Sequence, residues 1–215
     1  MDEILNSTFQ YIVFAFYGIA ALTAILFYSN YKHTVLKYFV WILIYTFINE
    51  VSAKYVYYWV DKNAIMYNVF NTIYFLYFFY VFWNFIRSKT YKNWIVYSVI
   101  LFSIVTLINV FIIDILEETL MYSYITGSCL IIFCIILYYI EILSDSRVLH
   151  IKEDLLFWIS IGLLLFYVGY IPIKISRTFF ATNMDVFLTL FNVQRTLIVI
   201  MNSCFIIGFL WTKKK

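Results

Sequence analysis

Charged and amide side chains interrupt several long apolar runs of this sequence. The segment FINEVSAKYVYY, residues 47–58, contains Asn49, Glu50 and Lys54, and the segment LFNVQRT, residues 190–196, contains Asn192 and Arg195. Carboxylate, ammonium and guanidinium groups can pair with one another or bind a charged ligand, and amides can orient that ligand by hydrogen bonds. These residue types therefore predict the binding of a polar or ionic group.

The sequence motifs of common catalytic and metal sites are absent. The chain has no GxSxG, HExxH, Walker or CxxC sequence, and its three cysteines lie in apolar runs. His33 and His150 fall between apolar runs, without the neighbouring ligands that a metal site needs, and we expect them to be exposed loop residues. We predict no catalytic residue, no metal and no cofactor, and no nucleic-acid partner.

The composition indicates a membrane protein. Of 215 residues, 65% are hydrophobic and only 13% are charged, whereas soluble domains average about 25% charged residues. A soluble core of this size could not cover so much apolar surface, so lipid must surround most of it. With one Pro and five Gly residues, the chain is predicted to be a single transmembrane domain over residues 1–215.

Seven apolar stretches are long enough to cross a hydrocarbon layer of ~30 Å as helices. They are Thr8–Ser29, Tyr38–Val60, Ala64–Ile86, Trp94–Ile113, Thr119–Ile140, Leu155–Ile175 and Val186–Trp211. Apolar residues run continuously in them and do not alternate, which argues against membrane strands. The predicted fold class is an all-α integral membrane bundle of seven transmembrane helices.

The basic residues predict the orientation of this bundle. Ten of the fifteen Lys and Arg residues fall on one side, namely Lys32, Lys37, Arg87, Lys89, Lys92, Arg147, Lys152, Lys213, Lys214 and Lys215. The loops of the opposite side contain Lys62 and Arg177, together with three acidic residues. Because cytoplasmic loops carry an excess of Lys and Arg, the N-terminus is predicted outside and the C-terminus in the cytoplasm.

Depth along the spans brings the polar side chains to one layer. A rise of ~1.5 Å per residue places Glu50 roughly 18 Å from the inner end of its span and Arg195 roughly 15 Å from the outer end of its own. We predict an ion pair between Glu50 and Arg195, with Asn49, Asn71 and Asn192 satisfying the remaining donors and acceptors. The full candidate site comprises Asn49, Glu50, Lys54, Asn71, Tyr167, Lys174, Asn192 and Arg195.

Two interpretations of this layer stay open. Its side chains could form interhelical hydrogen bonds that only hold the bundle together, or they could line a polar cavity open to the outside. Glu50 is the only acidic residue within the predicted spans, whereas Lys54, Lys174 and Arg195 are three bases. This excess of positive charge favours a cavity that binds a small anionic or polar ligand, or a lipid head group.

A facilitator or transporter is the leading functional hypothesis. The first alternative is a ligand- or lipid-responsive sensor or accessory subunit that acts through a cytoplasmic or membrane protein partner, docked on loops 87–93 and 141–154. The second alternative is a lipid-modifying membrane enzyme. The expected partners are membrane lipids and the small ligand, and the expected location is the cytoplasmic (inner) membrane. An excess of Lys over Arg, eleven to four, favours a bacterial origin.

Two weaker patterns concern the sixth and seventh spans. Pro172 removes one helical hydrogen bond, so it could mark a kink that widens the cavity or the end of the sixth span. The sequence VFN at Val69–Asn71 matches LFN at Leu190–Asn192. Spans one to three and spans five to seven would also cross the membrane in the same order of directions. Together with this match, that order indicates a weak 3+1+3 parallel repeat, an arrangement found in transporters.

Overall fold

The computed structural model describes residues 2–60, 62–144, 151–179 and 184–212, and the regular elements within them are all helices. The α-helices are α1 (Asp2–Leu26), α2 (Tyr28–Tyr31), α3 (Phe39–Val60), α4 (Ala64–Phe85), α5 (Lys89–Ile112), α6 (Met121–Leu143), α7 (Leu155–Phe179) and α8 (Met184–Trp211), with a 3-10 helix at Val35–Tyr38. Seven of these described helices are long and apolar enough to cross a membrane. By length and composition, this indicates a multi-pass membrane protein with a helical bundle, as the sequence predicts.

The ends of α1 and α7 differ from the predicted spans. α1 ends at Leu26, three residues before the predicted end at Ser29. α7 passes through Pro172 and continues to Phe179, four residues beyond the predicted end at Ile175. A proline removes only one backbone hydrogen bond, and the turns on either side can continue the helix. This extension places residues 176–179 on a helix, whereas the sequence assigned them to a loop.

The described helices form two compact units. Unit 1 comprises Met1–Phe47 and His150–Lys215, and it contains α1, α2, the 3-10 helix, the first part of α3, α7 and α8. Unit 2 comprises Ile48–Leu149, and it contains the rest of α3 with α4, α5 and α6. The predicted single domain, the membrane orientation and the internal repeat stay predictions. Arg147, His150 and the three C-terminal lysines lie outside the described residues.

In unit 1, α7 and α8 pack closely because glycines remove side chains from their interface. A Cβ atom added to Gly169 would lie 2.8 Å from Cδ1 of Leu197, and one added to Gly208 would lie 2.7 Å from Cβ of Trp158. Small residues let transmembrane helices approach in this way. α1 also packs against α8, where Tyr17 and Ile198 share a buried apolar cluster.

In unit 2, phenylalanine rings of α4 fill the space between α5 and α6. Phe75 lies 5.5 Å from Phe102 of α5 and 5.6 Å from Tyr124 of α6, measured between ring centroids. A Cβ atom added to Gly127 of α6 would lie only 2.7 Å from the Phe75 ring, so the ring occupies the place of a side chain. Aromatic rings bury a large apolar area, and this packing fixes the three helices relative to one another.

Candidate functional site

The predicted site residues of unit 2 lie on α3 and α4. Asn49 is buried, and its Nδ2 atom has no hydrogen-bond partner within the described residues. The Glu50 carboxylate is hydrogen-bonded to the side chain of Tyr67, an α4 residue that the sequence analysis did not select. Lys54 and Asn71 are half-buried. Unit 2 therefore joins the predicted acid to a tyrosine hydroxyl, which can donate to a carboxylate.

The predicted site residues of unit 1 lie on α7 and α8. Tyr167 and Arg195 are buried, Lys174 is half-buried, and Asn192 is exposed. The Nη1 atom of Arg195 donates to Oδ1 of Asn192 at 3.5 Å, a long hydrogen bond between residues one helical turn apart. Because Glu50 belongs to unit 2 and Arg195 to unit 1, the ion pair predicted between them stays a prediction.

Two guanidinium groups of unit 1 lie against the same aromatic ring. The Cζ atom of Arg195 is 4.2 Å from the ring centroid of Phe191, and the Cζ atom of Arg177 is 4.8 Å from the same centroid. Arg177 also lies over Phe187, at 5.3 Å, and Arg195 lies 6.0 Å from Phe9 of α1. The negative face of an aromatic ring attracts a cation within about 6 Å. Phe191 therefore brings two positive charges together.

Polar contacts of Arg177 use only part of its guanidinium group. The side chain of Tyr170, two turns earlier on α7, is hydrogen-bonded to it. Its Nε and Nη2 atoms are buried and have no hydrogen-bond partner in the described part of the chain. A buried donor without an acceptor costs about 1–3 kcal/mol, and more when it is charged. Arg177 therefore has two donors that are ready for an acceptor.

Positive charge accumulates where the C-terminal end of α7 lies beside α8. Lys174 and Arg195 both lie within electrostatic range of the Arg177 charge. Like charges in a poorly solvated region repel one another, and a negative charge bound beside them would lower this repulsion. We use the name cationic cluster for Lys174, Arg177 and Arg195 together with Phe191.

The sequence analysis found two of the three charges of the cationic cluster and missed Arg177. The predicted sixth span ended at Ile175, so Arg177 was assigned to an outer loop. In the structure α7 continues to Phe179, and this extension carries Arg177 onto the helix beside Phe191. The spacing of Lys174 and Arg177, three residues apart, could have indicated one helix face, since residues three apart are neighbours on a helix.

A different asparagine from the predicted one holds the loop between α5 and α6 in unit 2. The Nδ2 atom of Asn68 donates to the backbone oxygens of Ile115 at 3.0 Å and Glu118 at 2.9 Å. Its Oδ1 atom accepts from the backbone N–H of Leu120 at 2.9 Å. Asn68 is buried, and these three bonds, which we call the Asn68 clamp, use both ends of its amide. The predicted Asn71 is not part of the clamp.

A pocket of about 530 Å³ adjoins this loop. It is lined by Lys62, Asn63, Ala64, Ile113, Glu117, Glu118, Thr119, Met121 and Tyr122, none of which is a predicted site residue. Lys62 forms an exposed ion pair with Glu117. The hydrogen bond to Glu117 raises the pKa of Lys62 above its ordinary value. An exposed pair of this kind adds little stability. No group of three or more His, Cys, Asp or Glu residues is arranged for a metal among the described residues.

Comparison with known proteins adds no assignment. No protein-family model, curated protein or solved structure matches the chain.

Proposed function

We propose that this multi-pass membrane protein binds a small anion at the cationic cluster of unit 1 and facilitates its passage across the membrane. The observation that carries the proposal is the Arg177 guanidinium. It has two buried donors without acceptors among the described residues, and it lies against the ring that also contacts Arg195. A ligand with negative charge would satisfy the donors and neutralise the repulsion in one step.

Burial within a transmembrane helix supports a functional role for these charges. A charged side chain in a membrane is costly, and residues of this kind mark the paths of ions and substrates. If the cluster only held helices together, its donors would be expected to have acceptors, as those of Asn68 do. The open donors of Arg177 distinguish the cluster from such a structural contact.

The three charged residues of the cluster and the neighbouring Asn192 have separate proposed roles. Arg177 and Arg195 bind the anion, Lys174 attracts it, and Asn192, which already accepts from Arg195, orients it. In the predicted orientation, the C-terminal end of α7 and the N-terminal end of α8 face the outside. The cluster would then meet anions that arrive from the external solution.

Flux into proteoliposomes tests this function. We expect the wild-type chain to speed the flux of at least one anion among chloride, acetate and inorganic phosphate over protein-free liposomes. The Arg195→Gln variant should lower that flux by about tenfold or more, because a lost charge-assisted hydrogen bond costs about 1.5–3 kcal/mol. The matched control Arg87→Gln changes an arginine of the turn between α4 and α5 and should leave the flux unchanged.

Two outcomes would contradict the proposal. Wild-type flux equal to that of protein-free liposomes for all three anions would exclude a facilitator. It would turn attention to a sensor or accessory subunit, for which a co-purifying protein partner is the expected sign. Normal flux in Arg195→Gln would remove the cationic cluster from the transport path.

A further inference from the structure

We infer that Arg177 selects oxyanions, such as carboxylates and phosphates, over halides, through a two-point contact from Nε and Nη2. This inference rests on the proposed function, because it names the chemical class of the anion that the cationic cluster binds. It concerns an arginine that the sequence assigned to a loop.

The position of the two open donors on the guanidinium group carries the inference. Nε–H and one N–H of Nη2, the one on the side of Nε, lie on the same edge of this planar group. These two bonds point in nearly the same direction. An edge of this kind fits two oxygen atoms of one carboxylate or phosphate by parallel hydrogen bonds. Nε and Nη2 of Arg177, the two nitrogen atoms of this edge, are the atoms that have no hydrogen-bond partner among the described residues. A single halide ion can meet this edge only with both bonds bent toward one point, whereas two oxygens accept one nearly linear bond each.

The other contacts of Arg177 hold this edge in place. Tyr170 is hydrogen-bonded to the guanidinium group, and the rings of Phe187 and Phe191 lie 5.3 and 4.8 Å from its Cζ atom. A group that is already oriented loses little conformational freedom when a ligand binds. Arg195, on the same Phe191 ring, adds a second positive charge beside the oxyanion.

A lysine at position 177 would not reproduce this contact. Lysine keeps the charge and the attraction to the rings, but its ammonium group is a point charge without a planar pair of donors. The Arg177→Lys exchange therefore removes the two-point hydrogen bonding to an oxyanion and keeps the positive charge. The same exchange at Arg87, in the turn between α4 and α5, is the matched control.

Binding to the purified full-length chain tests the inference. In detergent micelles free of phosphate, calorimetric titration with sodium phosphate and with sodium chloride measures the preference. We expect phosphate to bind at least about tenfold more tightly than chloride to the wild-type chain and to the Arg87→Lys control. In Arg177→Lys that preference should fall to about twofold or less, while chloride binding is retained.

A second arm identifies the source of the oxyanion. Native mass spectrometry compares the retention of dioleoylphosphatidylglycerol and of dioleoylglycerol, which differ in the phosphate head group. Retention of the phospholipid alone, lost in Arg177→Lys, assigns the site to a lipid phosphate, whereas phosphate binding without such retention assigns it to a free anion. Either result supports the two-point contact.

Other results overturn the inference. One is an equal affinity for phosphate and chloride in the wild-type chain, without selective retention of the phospholipid. The other is a preference for phosphate over chloride that is unchanged in Arg177→Lys. The wild-type preference alone decides the matter if the variant fails to fold. Equal affinities together with anion flux in proteoliposomes would leave the proposed function standing and remove only the oxyanion class. A strong preference for phosphate without anion flux would remove the proposed facilitator function and leave the oxyanion site standing.

Discussion

Asn68 of unit 2 and Arg177 of unit 1 use their buried polar atoms in opposite ways. In unit 2, the buried Asn68 amide makes three bonds to the loop between α5 and α6. The half-buried Glu141 carboxylate likewise accepts from the backbone N–H groups of Arg87 and Ser88 at 2.8–3.0 Å. In unit 1, Arg177 keeps two buried donors for which residues 2–60, 62–144, 151–179 and 184–212 supply no acceptor, beside a second guanidinium group. The contrast separates side chains that stabilise the fold from side chains that are ready for a ligand.

This difference has a simple energetic basis. A satisfied buried hydrogen bond adds about 1 kcal/mol to stability, whereas an unsatisfied buried donor costs about 1–3 kcal/mol. A protein that only needed stability would lose little by replacing Arg177 with an apolar residue, as happens when buried charged groups are exchanged for hydrophobic ones. Costly residues of this kind are expected at functional sites, where stability is exchanged for activity.

The largest effect is expected at the Asn68 clamp. Asn68→Ala removes three hydrogen bonds and leaves backbone groups of the loop without partners, so it should lower the free energy of unfolding by about 2–4 kcal/mol. The matched control Asn71→Ala, one helical turn further along α4, should change it by less than about 0.5 kcal/mol. Unfolding of both variants in detergent, followed by circular dichroism, measures the difference. Equal losses in the two variants would contradict the structural role of the clamp.

A smaller effect on stability is expected at Arg177. In a buffer without oxyanions, Arg177→Gln should leave the free energy of unfolding within about 1 kcal/mol of the wild-type value or raise it. The variant loses cation–π contacts but also removes a buried charge whose donors lack acceptors. The same unfolding measurement, repeated with added phosphate, should stabilise only the wild-type chain, because a ligand that binds the folded state stabilises it. A loss as large as that of Asn68→Ala would place Arg177 among the structural residues and erase the contrast between the units.

The sequence predicted most of the fold because composition and span length determine it. Continuous apolar runs of about 20 residues can only be helices in lipid, since each backbone group must be satisfied within its own segment. For α4 the predicted start at Ala64 is confirmed, and its helix ends at Phe85, one residue before the predicted Ile86. The sequence prediction missed the extension of α7 past Ile175 because the residues that follow, Ser176, Arg177 and Thr178, are polar and were taken as the end of the apolar span.

The candidate site was predicted less completely, for a physical reason. Residue type identified Arg195 and Lys174 as charges inside apolar spans, but no pattern shows which donors find partners. Asn68 and Asn71 are the same residue type on one helix, but they occupy different positions around the helix axis. Asn68 bonds to the loop between α5 and α6, whereas Asn71 is a half-buried amide outside the clamp. The convergence of Arg177 and Arg195 on Phe191 depends likewise on how α7 and α8 pack.

The location of a bound oxyanion tests the central claim most directly. Crystals of the chain grown with selenate would show the anion in an anomalous difference map at the selenium edge, and bromide crystals would serve as the comparison. The account predicts a selenium peak on the open edge of Arg177, with two selenate oxygens within hydrogen-bond distance of Nε and Nη2, and no bromide in the same two-point contact. Selenate bound elsewhere, with Nε and Nη2 of Arg177 occupied by an acceptor from the chain itself, would contradict it.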